Sequence, residues 1–280
     1  MTNSTVQSNV CFPSRNQVRL VVADMDGTLL NAEHKLSQRT IATVQTLVSQ
    51  GVEFVLATGR HFEDVHLMSR QLGVEACLIT SNGARVHNYL GQMLYENPMP
   101  ADLVAQVLEV SRGFEVHRNV YQQDLWLVEE PHESLLAMHD QSGFRYTFAD
   151  FTKMSLSNID KLYFTAEHEI LVPLEQLLSK QFANQLNVTF TSPEYLEVMN
   201  VDVSKGKALE KLLVMKGKSA QQTVALGDGM NDVDMLNLVG FGVVMANASP
   251  SVKAQLPNKL AAKSNAEEGV ADFIETYLLK

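Results

Sequence analysis

Short apolar runs that end in polar, glycine-containing turns recur along the chain. The clearest of these runs are residues 20–23, 52–57, 77–80 and 223–226. Their length and their apolar and β-branched side chains are typical of buried strands. Helical patterns follow the polar turns, and this alternation predicts a parallel sheet with crossover helices. We expect the polar groups after these strands to meet at one edge of the sheet, where ligands bind in open α/β folds.

Helical periodicity lies between the apolar runs. Ser37 is the predicted N-cap of a helix with apolar positions at helical spacing over residues 41–48, and Gly51 is its predicted end. A second helix is predicted from Phe62 to a stop at Gly73. The chain closes with an apolar run at 241–246 and a helix over residues 269–279.

The rhythm changes between residues 85 and 196. This segment begins with a hairpin-like stretch in which Gly91 makes the turn. A helix at 101–110, short strands, a helix at 173–182 and further strands follow. An α+β segment of that size, placed inside an α/β pattern, predicts a separate inserted domain.

Composition narrows the classes of partner. A net charge of −10 over 280 residues argues against nucleic acid or an anionic membrane as the main partner. Cys11 and Cys77 have no metal-binding or redox spacing, which favours a reducing compartment. The first 16 residues have no secretory pattern, and no run approaches the roughly 20 apolar residues that span a bilayer. These observations predict a cytoplasmic protein, for which a monomer and a homodimer fit equally well.

The first strand end carries the most informative chemistry. Asp24 and Asp26 follow an apolar run at a spacing that leaves both carboxylates on one side of an extended chain. Two such carboxylates repel each other unless a cation or a developing reaction charge uses them. The pentapeptide therefore predicts a site for a metal and a nucleophile. The alternative is an Asx turn in which Gly27 only allows the bend.

The order of the motifs resembles one family. The residues that match its four motifs, in order, are Asp24-x-Asp26-Gly27-Thr28, Thr58, Lys205 and Gly227-Asp228-Gly229-Met230-Asn231-Asp232. They resemble the haloacid dehalogenase superfamily of phosphohydrolases. The sequence around them is similar to that of its Cof-type subgroup, which has a subfamily IIB cap. That subgroup includes sugar phosphate, pyridoxal phosphate and thiamin-precursor phosphatases. The resemblance runs from Arg19 to near the C-terminus.

The resemblance implies a fold and a domain division. The expected fold is α/β, with a Rossmann-like parallel-sheet core domain and an inserted α+β cap domain. The expected boundaries are a disordered polar tail at residues 1–16, a core formed by residues 17–84 and 197–280, and a cap formed by residues 85–196.

The resemblance also implies roles for individual residues. Asp24 is the expected nucleophile, forming an aspartyl-phosphate, and Asp26 is the expected general acid and base. Mg²⁺ is the expected cofactor, held by the Asp24 carboxylate, the Asp26 main-chain carbonyl and the Asp228 carboxylate. The phosphate is expected to contact the amides of Met25 and Gly59 and the side chains of Thr58, Lys205 and Asn231. Asp232 is expected to orient Lys205 or a metal-bound water.

Substrate contacts are a separate prediction. The candidates are His61, after the Thr58-Gly59-Arg60 turn, and a polar-aromatic cluster in the inserted segment formed by Arg118, Asn119, Tyr121 and Trp126. Trp126 could stack on a substrate ring or belong to the core of a small domain. His61 could equally be a surface histidine.

The function predicted on this basis is Mg²⁺-dependent hydrolysis of a small phosphate monoester, either a sugar phosphate or pyridoxal phosphate. A hydroxymethylpyrimidine phosphate phosphatase and a phosphotransferase or mutase are the alternatives. A phospho-receiver domain uses similar residues, but the paired Asp24 and Asp26 and the large insertion count against it. The absence of apolar spans excludes an ATP-driven pump.

Overall fold

The computed structural model describes residues 15–137, 139 and 142–279. The predicted polar tail at 1–16 lies outside the described residues except for its last two positions. The strands are β1 (Leu20–Asp24), β2 (Glu53–Ala57), β3 (Cys77–Thr80), β4 (Arg85–His87), β5 (Met93–Glu96), β6 (His117–Gln122), β7 (Leu125–Val128), β8 (Tyr146–Phe148), β9 (Ile159–Thr165), β10 (Leu186–Ser192), β11 (Tyr195–Asn200), β12 (Thr223–Gly227), β13 (Phe241–Met245) and β14 (Leu260–Ala262). The helices are α1 (Gln38–Ser49), α2 (Phe62–Arg70), α3 (Ala101–Ser111), α4 (Glu133–Ala137), α5 (His168–Gln181), α6 (Lys205–Met215), α7 (Val233–Leu238), α8 (Pro250–Gln255) and α9 (Gly269–Tyr277).

The chain divides into two compact units. The first unit contains the residues up to 56, residues 72–76 and the residues from 212 onward. The second unit contains residues 57–71 and 77–211. Domain boundaries at 85 and 196 stay a prediction.

The first unit is built on a sheet with the strand order β14-β13-β12-β1-β2. The pairs β1–β12, β12–β13 and β13–β14 are parallel. Every residue of β1 and β12 is buried, as expected for strands covered on both faces. Together with the α+β second unit described below, this sheet confirms the predicted α/β class.

Helix α1 begins and ends where the sequence predicts. The Ser37 side chain accepts a hydrogen bond from the Thr40 amide at the start of α1, and Gly51 has a positive φ after its end. Helix α1 packs with α9, and the Arg39 guanidinium donates to the Glu275 carboxylate across that contact, at 2.7 Å.

The second unit contains the β3-β4-β5 hairpin arrangement and a six-stranded sheet in the order β10-β11-β9-β6-β7-β8. Gly91 has a φ of +83° between β4 and β5, so the predicted turn is confirmed. Helices α3 and α5 pack on the six-stranded sheet through a core that includes Val107, Leu174 and Phe164. This core gives the unit its own apolar interior.

The predicted start of the helix at 173–182 is wrong. Helix α5 begins at His168, so Pro173 lies inside it rather than at its first position. Proline at the start of a helix is favoured because its nitrogen carries no hydrogen to leave unpaired, which is why the residue suggests a beginning. Here the packing of Leu171 and Leu174 in the core extends the helix through the proline.

The described residues contain no helix that combines the length and the apolar character needed to cross a membrane.

Candidate active site

Two neighbouring parallel strands of the first unit bring an acidic cluster together. The register pairs Val22 with Ala225 and Ala23 with Leu226, so β1 and β12 end side by side. Asp24 is the last residue of β1, and Asp228 follows β12 directly. Carboxylate oxygens of Asp24, Asp228 and Asp232 all lie within 4.8 Å of one another. The cluster thus follows from the register of two strands and the loops after them.

The Asp228 carboxylate is oriented by two side chains. The Thr28 hydroxyl donates to its Oδ1 at 2.8 Å, and the Asn247 amide donates to its Oδ2 at 3.3 Å. The same Asn247 nitrogen donates to the Gly27 carbonyl at 2.8 Å. Asn247 therefore ties the loop after β1 to the loop after β12.

The Asp232 carboxylate organises its own loop. One oxygen, Oδ2, accepts hydrogen bonds from the backbone amides of Asp228 and Gly229 at 3.0 and 2.8 Å. The side chain is completely buried. These bonds fix the path of the chain from Asp228 to Asp232.

Gly27 is required by the closeness of the two loops. Its φ is +80°, and a Cβ atom built on it would fall on the Asp228 carboxylate. A side chain at this position would therefore be strained and would displace Asp228. The alternative from the sequence is that Gly27 only allows a bend. Its close approach to Asp228 shows that the position also has no room for a side chain.

The Asp26 side chain differs from the cluster in its exposure. It is 39% exposed and lies 3.5 Å from His34 Nδ1, whereas Met25 beside it is buried. Its carboxylate can therefore exchange protons with a bound molecule or with water. Asn231, in the short turn Met230–Asp232, is partly buried.

The donor set of the acidic cluster fits a hard divalent cation. Three carboxylates supply only oxygen atoms, the ligands that Mg²⁺ prefers. The ionised carboxylates repel one another at this spacing, and a bound cation would offset that repulsion. Asp24 and Asp228 are the two cluster members that the sequence predicts as metal ligands, and the Asp26 carbonyl completes that prediction.

The predicted phosphate-binding residues Thr58, Gly59 and Lys205 belong to the second unit. The Thr58 amide donates to the Ile79 carbonyl at 2.8 Å, and the Thr58 hydroxyl accepts from the Arg60 amide at 3.1 Å. The Thr58 carbonyl accepts from the Asn82 amide at 3.0 Å. Lys205 begins α6 and is buried. Hydrogen bonds to the amide, the carbonyl and the hydroxyl of Thr58 therefore fix the 58–60 turn.

His61 is enclosed in the second unit. Its Nδ1 accepts from the Glu63 amide and caps α2, and its Nε2 lies 2.5 Å from the Gln123 carbonyl. The ring stacks on Phe144 with centroids 4.7 Å apart. Burial lowers the pKa of His61 to about 4, so the ring is neutral at pH 7.

The other candidate substrate residues are engaged in the inserted segment. Arg118 donates to the Ser111 hydroxyl and carbonyl at 2.9 and 2.7 Å. The buried Trp126 indole donates to Asn119 Oδ1 at 3.0 Å, and Tyr121 packs edge-on against its ring. These contacts build the local core around β6 and β7. Substrate contact by any of these side chains stays a prediction.

Several residues of these arrangements are missing from the sequence predictions. Asn247 carries no motif signal, because its partners lie 19 and 220 residues away in the chain. Lys161 and Glu197 form a buried ion pair of 2.6 Å, and Asn82 donates to the same glutamate. The sequence marks Ser81-Asn82-Gly83 as a polar strand end and includes Glu197 in a stretch that resembles the family, but it does not predict the contacts of these residues.

Comparisons with known proteins agree with the motifs. Residues 21–274 match the family model described as haloacid dehalogenase-like hydrolase. A putative phosphatase of Haemophilus influenzae is 38% identical over 261 residues, covering 92% of this chain and 96% of the relative. An HMP-PP phosphatase of Serratia proteamaculans is 35% identical, covering 93% of this chain and 95% of the relative.

A solved structure is similar in fold. The crystal structure of a haloacid dehalogenase-like hydrolase from Bacteroides thetaiotaomicron matches with a TM-score of 0.82 and 28% identity. The match covers 92% of this chain and 99% of the other. The family likeness therefore extends over both units.

Proposed function

The chain belongs to the haloacid dehalogenase-like hydrolases, and from that premise we propose that it hydrolyses small phosphate monoesters through a phosphorylated Asp24. The expectation of a phosphatase of this superfamily is confirmed, because the family model and the named relatives agree on it. The roles of individual residues, the identity of the metal and the choice of substrate are our proposal.

The observation that supports this proposal most is the carboxylate cluster after β1 and β12. Asp24 ends a fully buried strand, and its carboxylate lies with those of Asp228 and Asp232. The backbone and side-chain hydrogen bonds described above hold Asp228 and Asp232 in place. A nucleophile held in this way approaches phosphorus with little reorganisation.

The proposed reaction has two displacements. The Asp24 carboxylate attacks phosphorus, the bond from phosphorus to the ester oxygen breaks, and the leaving alkoxide takes a proton from Asp26. Asp26 then takes a proton from water as the water oxygen attacks the phosphorus of the aspartyl-phosphate. Inorganic phosphate leaves and the Asp24 carboxylate is restored. The exposure of Asp26 supports its role in both proton transfers.

The residues that would hold Mg²⁺ are Asp24 and Asp228, through their carboxylates, and Asp26, through its main-chain carbonyl. When bound, the ion supplies positive charge that offsets the repulsion between the nucleophile and the phosphate ester. Asp232 contributes by fixing the loop that carries Asp228. A divalent metal is a general feature of the family, and its identity as Mg²⁺ is our proposal.

The remaining phosphate contacts follow the family resemblance. We assign them to the amides of Met25 and Gly59, the hydroxyl of Thr58, the ammonium of Lys205 and the amide of Asn231. The hydrogen bonds of the 58–60 turn support its role as a phosphate-binding element. Each peptide carbonyl of the turn accepts a hydrogen bond, and this fixes the direction of the N–H groups.

Relatives and sequence favour different substrates within one class. The stretches Asn119-Val120-Tyr121 and Leu196-Glu197-Val198-Met199 resemble the sugar phosphate and pyridoxal phosphate branch of the subgroup. Relatives at 34–35% identity are named HMP-PP phosphatases, which favours the thiamin-precursor alternative. All these compounds release inorganic phosphate on hydrolysis, so one assay can rank them.

Phosphate release should be measured with sugar phosphates, pyridoxal phosphate, hydroxymethylpyrimidine phosphate and HMP-PP, each with Mg²⁺ and with EDTA. We expect turnover that needs the metal and that falls by at least about a thousandfold in Asp24→Asn, because the amide cannot act as the nucleophile.

Two outcomes would change the proposal. Equal turnover by wild type and Asp24→Asn would remove Asp24 from the chemistry. Transfer of phosphate to an added sugar in preference to water would identify the phosphotransferase alternative.

A further inference from the structure

A buried ion pair in the second unit lies against the turn at Thr58 and Gly59. Lys161 on β9 and Glu197 on β11 are 3% and 7% exposed, and Lys161 Nζ lies 2.6 Å from Glu197 Oε1. The register places Glu197 opposite Tyr163, two residues along β9 from Lys161. The two charged side chains therefore share one face of the sheet.

The lysine is held from several directions. Its ammonium lies 5.0 Å from the centre of the Tyr121 ring and 5.6 Å from that of Tyr163. It also donates to the Gly59 carbonyl at 3.2 Å. Two aromatic faces and a carboxylate thus direct one charged donor at one backbone carbonyl.

The glutamate reaches the same turn through Asn82. Its Oε2 accepts from the Asn82 side-chain amide at 2.6 Å. Asn82 has a φ of +55°, an uncommon conformation for a residue other than glycine, and its backbone amide donates to the Thr58 carbonyl. Its Oδ1 would be 2.9 Å from a Cβ atom on Gly59, so the two residues are in close contact.

The two hydrogen-bonded carbonyls set the planes of two successive peptide groups. Asn82 fixes the Thr58–Gly59 peptide, and Lys161 fixes the Gly59–Arg60 peptide. In a planar trans peptide the N–H points away from the carbonyl, so fixing each carbonyl aims the N–H on the other side. The Gly59 amide, one of the proposed phosphate donors, is aimed in this way.

We propose that Lys161 and Glu197 are positioning residues that hold the Thr58–Gly59 turn ready for phosphate. This inference rests on the proposed function, because it takes the turn as a phosphate-binding element. Glu197 acts on the Gly59 amide through Asn82, which bonds to the Thr58 carbonyl. Lys161 acts on the Arg60 amide of the next peptide, which donates to the Thr58 hydroxyl, another of the proposed phosphate contacts.

The test separates positioning from stability. Lys161→Met, Glu197→Gln and the double variant are compared by melting temperature and by calorimetric binding of inorganic phosphate in Mg²⁺. Each single variant leaves one buried charge uncompensated, so the melting temperature should fall. Each should also weaken phosphate binding by about tenfold, as expected when hydrogen bonds to charged groups are lost.

The double variant distinguishes a positioning role from a purely structural one. It removes both charges together, so the melting temperature should recover toward wild type. Phosphate binding should stay about tenfold weaker because nothing restores the donor to the Gly59 carbonyl. Lys161→Arg keeps a charged donor and should bind phosphate more tightly than Lys161→Met.

Asp160→Asn is the matched control. Asp160 precedes Lys161 on β9, faces the opposite side of the strand and lies 2.9 Å from Arg85 Nε, with both side chains buried. It should lower the melting temperature and leave phosphate binding unchanged. Recovery of phosphate binding in the double variant, or unchanged binding in all variants, would overturn the inference. In that case, phosphatase activity of the wild type would still support the proposed function. A wild type that neither binds phosphate nor releases it from any ester would overturn both.

Discussion

The loops after β1 and β12 and the turn at Thr58–Gly59 are both held by hydrogen bonds, but the first are held by groups of the strand-end loops themselves and the second by a buried ion pair of the six-stranded sheet. In the first unit, Asp232 bonds to residues three and four positions away, and Asp24 ends a strand whose register fixes its neighbours. In the second unit, the turn is held by Lys161 and, through Asn82, by Glu197, which lie 102 and 115 residues from their partners.

The two regions have different roles. Short loops at strand ends place the acidic groups that the chemistry needs. Long-range side-chain pairs on a separate sheet fix a turn that carries backbone donors. Changes in the first region should therefore act on catalysis and metal binding, and changes in the second on phosphate binding and stability.

Among substitutions that leave the catalytic groups themselves in place, Gly27→Ala should give the largest effect. A Cβ atom at this φ would fall on the Asp228 carboxylate, and displacing a metal ligand by about an ångström should cost roughly a hundredfold in kcat/KM. Gly51→Ala is the matched control, because Gly51 has a φ of +84° with no atom within 4 Å of the added carbon. It should lower the free energy of unfolding by about 1 kcal/mol and leave kcat/KM unchanged. Equal loss of activity in both variants would show that backbone strain alone is responsible.

Asn247→Ala should have a smaller effect, and the effect should be on metal binding. Removing an amide that orients Asp228 should weaken Mg²⁺ activation by about tenfold. Binding of Mn²⁺, followed by its electron paramagnetic resonance signal, measures the same loss without turnover. Gln45→Ala is the control, because Gln45 also donates its amide to a backbone carbonyl, that of Leu72. Unchanged Mn²⁺ binding in Asn247→Ala would contradict the role given to Asn247.

His61 should give the smallest effect, on stability rather than activity. Burial favours its neutral ring, so its stabilising contribution is complete above pH 6.5 and is lost as the pH falls toward about 4. Asn at this position keeps an N-cap without a titrating ring. Between pH 7 and 6 the stability advantage of wild type over His61→Asn should shrink by about 0.7 kcal/mol, measured by urea unfolding. A constant difference would mean that His61 titrates normally.

The same contrast explains what the sequence could predict. The buried strands, the Ser37 cap and the turn at Gly91 depend on local pattern, and the structure agrees with them. The acidic cluster was accessible because Asp24 and Asp228 each follow an apolar run directly.

Long-range contacts were not accessible in this way. No local pattern pairs Lys161 with Glu197 or Asn247 with Gly27, since those partners meet only through the order of strands in a sheet or the packing of loops. Pro173 misled because local preference favours a helix start where core packing extends the helix. The local sequence around Trp126 fits both a residue that stacks on substrate and a residue of a domain core. In the structure Trp126 is buried, and its indole donates a hydrogen bond to Asn119.

The most direct test of the central claim is the mass of Asp26→Asn after mixing with p-nitrophenyl phosphate in Mg²⁺ and quenching with acid. Nitrophenolate leaves without a proton, so Asp24 should be phosphorylated while the missing base slows hydrolysis. We expect a burst of nitrophenolate and one added phosphoryl group on the peptide that contains Asp24, both absent in the Asp24→Asn/Asp26→Asn protein. An unmodified peptide and no burst, with a wild type that turns the ester over, would show that Asp24 is not the nucleophile.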